Sequence, residues 1–174
     1  MPSVRSPDAA ALQFVGFELD GQQYLFRIER IQEIITPARV TRLPEVPAYV
    51  LGVSNLRGTI IPVIDLRLLF GLPARPLDAD SRTIVVVVGS RTVGCTVDAV
   101  SHVIRLAGDQ LKPATDAVTT EGPHYVAGFA RIGDDIAIVL DVDQLLDPTL
   151  LERVHHAGLP PAPDRLSSDG TTAR

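Results

Sequence analysis

Residues 49–69, YVLGVSNLRGTIIPVIDLRLL, lie on residues 125–145, YVAGFARIGDDIAIVLDVDQL, without a gap at a shift of 76 positions. Seven positions are identical: Tyr49/Tyr125, Val50/Val126, Gly52/Gly128, Ile60/Ile136, Val63/Val139, Asp65/Asp141 and Leu69/Leu145. A weaker match sets YLFRIERIQEI (24–34) on VGCTVDAVSHV (93–103) at a shift of 69, and the order of elements agrees in both halves. Two copies of so long a unit do not make a solenoid. They predict two similar small β-units, each closing on itself to remove its edge strands, with a groove between them.

The periodicity inside the units is two or continuously apolar, which indicates strands. The segments are 13–19, 23–28, 48–55, 59–66, 82–89, 91–98, 102–107, 125–132 and 135–142. Asp20-Gly21 and Gly89-Ser90 have the chemistry of hairpin turns. DLRLLFG (65–71) and DVDQLL (141–146) read as short helices capped by Asp65 and Asp141. Pro148 opens a last helix over 148–157 that Gly158 ends. The domain is expected over 13–158, between an N-terminal tail (1–12) and a Pro-rich tail (159–174) with the composition of disordered chain.

Composition removes several functions. The formal net charge is −5, basic residues are scattered, and aromatics are 5% with no Trp, so nucleic acid has neither a basic stripe nor a stacking platform. No apolar run is long enough to span a bilayer, and Arg5 and Asp8 interrupt any leader-like block, so a cytoplasmic location without membrane insertion is expected. The single cysteine, Cys95, lies in an apolar run and is expected to be a reduced, buried thiol.

No catalytic, metal or cofactor set emerges. Gly52–Thr59 lacks the glycine spacing and the lysine of a phosphate-binding loop. Asp65 and Asp141 recur at helix starts, which favours capping, and Asp98 aligns with Glu29 at a strand end or turn. His155 and His156 are adjacent and do not share a helix face, whereas His102 and His124 are isolated.

The duplication sorts what remains. Arg57-Gly58 falls opposite Gly133-Asp134, and Glu33 falls opposite His102, so these two charges belong to the first half alone. Both sit among isoleucines, and pairing as a buried or half-buried ion pair satisfies both. Such a pair can be purely structural, or it can hold the guanidinium at the lip of the groove for a partner; the two roles are compatible.

The runs FELDGQQYLFRIERIQEII, TRLPEVPAYVLGVSNLRGTIIPVIDLRLLFG, VGCTVDAVSHVI, YVAGF and IAIVLDVDQLL, in this order from Gln13 to Leu146, resemble the CheW family of bacterial chemotaxis coupling proteins. The resemblance implies an all-β fold of two intertwined five-stranded SH3-like barrels around a common core. It implies a non-catalytic adaptor that links the cytoplasmic tips of chemoreceptors to the regulatory domain of a CheA-type histidine kinase, with other CheW-like proteins as further candidate partners, and that is recruited to membrane arrays through them. Carried over residue by residue, the receptor groove is lined by Ile31, Gly52, Ile60 and Val103, with Glu33 and Arg57 as its polar pair. No kinase-docking residues are assigned. A coupler for surface or twitching motility and a small-molecule-binding β-barrel are the alternatives. Gly122-Pro123 before Tyr125 is a departure from the simplest family pattern.

Overall fold

The computed structural model describes residues 11–114 and 124–146. Eleven strands run in order: β1 (Leu12–Leu19), β2 (Gln22–Arg27), β3 (Ile31–Ile35), β4 (Val50–Leu56), β5 (Thr59–Asp65), β6 (Arg82–Val88), β7 (Arg91–Val97), β8 (Ala99–Leu106), β9 (Leu111–Pro113), β10 (Val126–Ile132) and β11 (Asp135–Leu140). Single-turn helices α1 (Leu66–Leu69) and α2 (Val142–Leu145) follow β5 and β11, and a 3-10 turn, Ile28–Arg30, joins β2 to β3. The expected helix over 148–157, the tails up to residue 10 and beyond 159, and Gly122-Pro123 lie outside the described residues.

The strands form two sheets, β8-β1-β2-β11-β10-β9 and β3-β6-β7-β5-β4. Their orders match once the halves are superposed by the repeat: β8 stands where β3 stands, β1 where β6, β2 where β7, β11 where β5 and β10 where β4. The halves have therefore exchanged strands. Hairpin β1–β2 of the first half pairs with β11 of the second, and hairpin β6–β7 of the second pairs with β5 of the first. Both exchanges are parallel pairings, whereas the other ladders are antiparallel. The chain crosses between sheets at the Ile28–Arg30 turn and at Asp98, between β7 and β8.

This exchange explains why the central strands read as continuous apolar runs. Along β6, Ile84, Val86 and Val88 face a core common to both sheets, while Thr83 and Val85 are buried on the other side. In the first sheet Phe26, Ile138 and Leu140 face that common core, and Leu25, Ala137 and Val139 face a second cluster inside the sheet's own curl. The second cluster takes Ile104 and Leu106 from one edge strand and Leu111 from the other, so the first sheet closes into a barrel. The second sheet closes as well, since Glu33 on its edge strand β3 bonds Arg57 at the far end of the opposite edge strand β4.

The repeated residues have matching structural roles. Asp65 Oδ1 accepts from the Arg67 and Leu68 amides at 2.8 and 3.4 Å, and Asp141 Oδ1 accepts from the Asp143 and Gln144 amides at 2.9 and 3.3 Å. Burial pushes the Asp65 carboxyl above its ordinary range in spite of these bonds. The Asp65 and Asp141 amides donate to the carbonyls of Tyr49 and Tyr125 at 2.7 and 2.8 Å. Gly52 and Gly128 each mark a register shift in their strand. A Cβ on Gly52 would overlap the Thr41 carbonyl, with its carbon only 2.7 Å away, and the backbone there has φ +142°. At Gly128 the Lys112 carbonyl stands in the same relation.

Several segments differ from the sequence reading. The chain enters β1 already at Leu12, and IQEII is a strand of its own. The three-residue β9 gives the first barrel a sixth strand. Cys95, by contrast, is fully buried as its apolar run predicts, and burial pushes its thiol up to about 12.

Gly52→Ala and Gly128→Ala are expected to cost roughly 3–5 kcal/mol each, because backbone rather than a flexible side chain must move. Gly58→Ala, in open space at φ +86°, is expected to cost only about 1–2 kcal/mol. Urea unfolding of the three variants checks the order.

Candidate functional site

Arg57 is not inside a buried run, as its apolar neighbours in sequence suggested. Leu56 ends β4, Thr59 opens β5, and Arg57-Gly58 is the two-residue turn between them. Both residues have positive φ, +50° and +86°, as the tight hairpin turn that matches strand twist requires. Asn55 Oδ1 accepts from the Gly58 amide at 2.8 Å and braces the turn. The arginine side chain is 72% exposed.

Glu33 lies in β3 opposite Val85 of β6, just after a register shift that begins at Ile31. A bulge of this kind re-aims the side chains that follow it. Glu33 Oε2 accepts from Arg57 Nη2 at 2.5 Å, and its side chain is only 18% exposed. Its other oxygen, Oε1, is buried without a hydrogen-bond partner. The pair is thus uneven: the carboxylate is mostly enclosed, and the guanidinium stands mostly in solvent.

The other residues of the expected groove fall in three places. Ile31 shares Glu33's strand and packs half-buried on the common core. Ile60 stands opposite Asn55 beside the Arg57 turn and is 48% exposed. Gly52 is buried under the Thr41 backbone, so its visible role is to let two chain segments approach. Val103 is on β8 of the other sheet, opposite Val15, and is 51% exposed. The structure joins Glu33 to Arg57 directly and sets Ile60 next to them, while Val103 belongs to the other barrel's edge strand.

Ile34, exposed on β3 between Glu33 and Ile35, escaped the sequence reading. The weaker repeat carried the signal, since Ile34 falls opposite Val103 at the shift of 69.

The second barrel offers a small molecule little room. Its interior void is about 20 Å³, lined by residues such as Ser54, Ile61, Val63, Thr83 and Thr96. That is space for about one water, against several hundred Å³ for an ordinary ligand pocket. The larger hollows are open surface depressions. No group of three or more His, Cys, Asp or Glu suited to a metal ion occurs among the described residues.

An exchanged pair of barrels with an exposed arginine at one turn can be compared with known proteins. Residues 13–149 match the CheW-like domain. The chain belongs to the CheW-like family. It is 37% identical over 134 residues to the chemotaxis protein CheW of Klebsiella aerogenes, a match covering 77% of this chain and 81% of that one. It is 34% identical over 144 residues to CheW of Helicobacter pylori, covering 83% and 87%. The crystal structure of the scaffolding protein TtCheW from Thermoanaerobacter tengcongensis superposes with a TM-score of 0.73 at 34% identity, covering 80% of this chain and 94% of the other. The two SH3-like barrels are the fold of this family, whose members are non-catalytic scaffold proteins of chemotaxis. No helix among the described residues is long and apolar enough to cross a membrane.

Replacing Arg57 with glycine relieves the left-handed backbone but leaves the mostly enclosed Glu33 carboxylate without the guanidinium that bonds it. The two effects oppose, and Arg57→Gly is expected to lower the unfolding midpoint slightly, as thermal denaturation will show.

Proposed function

We propose that this CheW-like chain couples a chemoreceptor to a CheA-type histidine kinase, with the receptor's cytoplasmic tip meeting the surface around Glu33 and Arg57. The observation that carries this reading is the exposed guanidinium, held by an enclosed carboxylate at a left-handed turn, with the exposed side chain of Ile60 one ladder pair from that turn. A helical hairpin presents apolar anchors at helical spacing together with side-chain carboxylates and amides, and such a surface suits that mode. An arginine fixed in direction adds orientation through hydrogen bonds with a set geometry. Weak contacts to several neighbours suit an array, in which linkage multiplies individually modest affinities. Ile31 and Val103 complete the proposed receptor surface. The kinase's regulatory domain is proposed as the second partner, and further CheW-like proteins as others, with recruitment to membrane arrays following from these contacts.

Arg57→Glu is expected to abolish co-sedimentation with receptor-containing membranes and, by setting a second carboxylate against the enclosed Glu33, to lower the unfolding midpoint modestly. If the variant fails to fold, the exchange Glu33→Arg with Arg57→Glu separates the roles, since restored folding without binding would make Arg57 structural first. Val103→Met is expected to weaken receptor binding, and unaltered binding would remove Val103 from the surface. Reconstitution with the cognate receptor fragment and kinase tests the whole reading. A ternary complex is expected, and its failure to form would sink the coupling role.

A further inference from the structure

The chain passes from one sheet to the other at two places that the repeat makes equivalent, and it secures them very differently. At the crossing between β7 and β8, Asp98 Oδ2 accepts from Arg67 Nη1 at 2.5 Å and from the Asp20 amide at 2.8 Å. The Asp98 amide donates to the Glu18 carbonyl at 3.1 Å, Arg67 Nε donates to the Pro73 carbonyl at 3.0 Å, and Arg75 stands 3.6 Å from the same carboxylate. The Arg67 and Asp98 side chains are 8% and 11% exposed. This network ties the tip of hairpin β1–β2 in the first sheet to α1 at the end of β5 in the second.

At the crossing between β2 and β3 the polarity is reversed. Asp143 in α2 occupies the repeat position of Arg67, and Arg30 in the crossing turn stands one residue past Glu29, the counterpart of Asp98. Arg30 Nη2 donates to Asp143 Oδ2, and the two side chains are 44% and 41% exposed. Glu29 is drawn off to Arg27, at 3.3 Å. A hollow of about 430 Å³ opens at this crossing, lined by Arg27, Arg30, Ala127, Asp141 and Asp143 among others.

We propose that the two crossings form a hinge built into the fold: the barrels pivot on the Arg67–Asp98 crossing, which stays fixed, and open at the Arg30–Asp143 crossing. The reason is dielectric. An exposed ion pair contributes little and weakens further with salt. Breaking a buried, hydrogen-bonded pair strands a charge and is far more costly. Local opening therefore takes the Arg30–Asp143 side first. On the proposed receptor surface, which takes Val103 from the first sheet and Arg57 from the turn of the second, such opening changes their spacing.

Hydrogen exchange on the full chain, read at low salt and at about 1 M salt, tests the hinge. The amides of Ile31, Leu145 and Leu146, bonded across the second crossing's own turns, are expected to exchange about two- to fivefold faster at high salt, by sub-global opening. Those of Asp20, Phe70 and Asp98 at the first crossing are expected not to respond. At low salt, Asp143→Lys should reproduce the effect of salt, and adding Arg30→Asp should reverse it. An equal response at both crossings, no response at the second, or exchange there only through global unfolding would overturn the proposal. If Asp143→Lys does not fold, the wild-type salt series decides alone, since a merely structural pair would move the global unfolding midpoint without this local acceleration.

Discussion

One hydrophobic core is built from strands that each barrel lends the other, and nearly every other feature follows from it. Phe17 packs on Phe26 at 4.6 Å between ring centroids and stacks on Tyr24 at 5.8 Å. Tyr24 reaches Phe70 at 5.4 Å, and Phe70 stacks on Tyr125 at 5.2 Å. The row of rings runs from the first half's hairpin, past the end of α1, to the threshold of β10 in the second half. Cutting the chain between the halves would leave the first with two separate hairpins, β1–β2 and β4–β5, and an unpaired β3, too little apolar burial to stand alone. The exchange also fixes the two crossings as the places where the barrels' relative position is decided.

Within this frame the duplication separates fold from use. Val63 and Val139 are repeated and buried, Asp65 and Asp141 cap equivalent turns, and Gly52 and Gly128 admit equivalent carbonyls. Ile60 and Ile136 are repeated too, yet they are 48% and 61% exposed, so packing does not account for their identity. Arg67 and Asp143 are neither repeated nor free to vary, because each must complement what the other half places at its crossing.

Much of this could be read from the residues, and the failures have physical causes. The strand segments, the hairpin turns and the aspartate caps were legible because they depend on local chemistry. The exchange of strands was not, since the parallel pairings β2·β11 and β5·β7 join segments far apart in the chain, and only the family resemblance supplied it. The short strands β3 and β9 were missed: IQEII alternates too weakly, and LKP is too short to show a period. Arg57 was misplaced because apolar residues on both sides of a two-residue turn look like one buried run. The Arg67–Asp98 pair was overlooked because 31 residues separate partners that meet only when the chain crosses between sheets. At the candidate site, the Glu33–Arg57 contact was legible from two unrepeated charges, whereas the uneven burial of the pair was not.

That unevenness bears most directly on what Arg57 is for. A non-glycine residue in the left-handed region costs about 1–2 kcal/mol, and Arg57 stands there at φ +50°. The second half makes the corresponding turn with glycine, Gly133 at φ +61°, and avoids the cost. The ion pair does not recover it, because the guanidinium is mostly in water and such pairs contribute at most about 1 kcal/mol. Glu33 adds to the deficit, since its Oε1 is withdrawn from solvent with no donor in return. Summed locally, a Glu33–Arg57 pair is a poorer solution for the fold than the glycine-led turn, Gly133-Asp134, that the same chain uses 76 positions later. The fold alone does not account for this pair, and the receptor contact proposed for Arg57 would account for it.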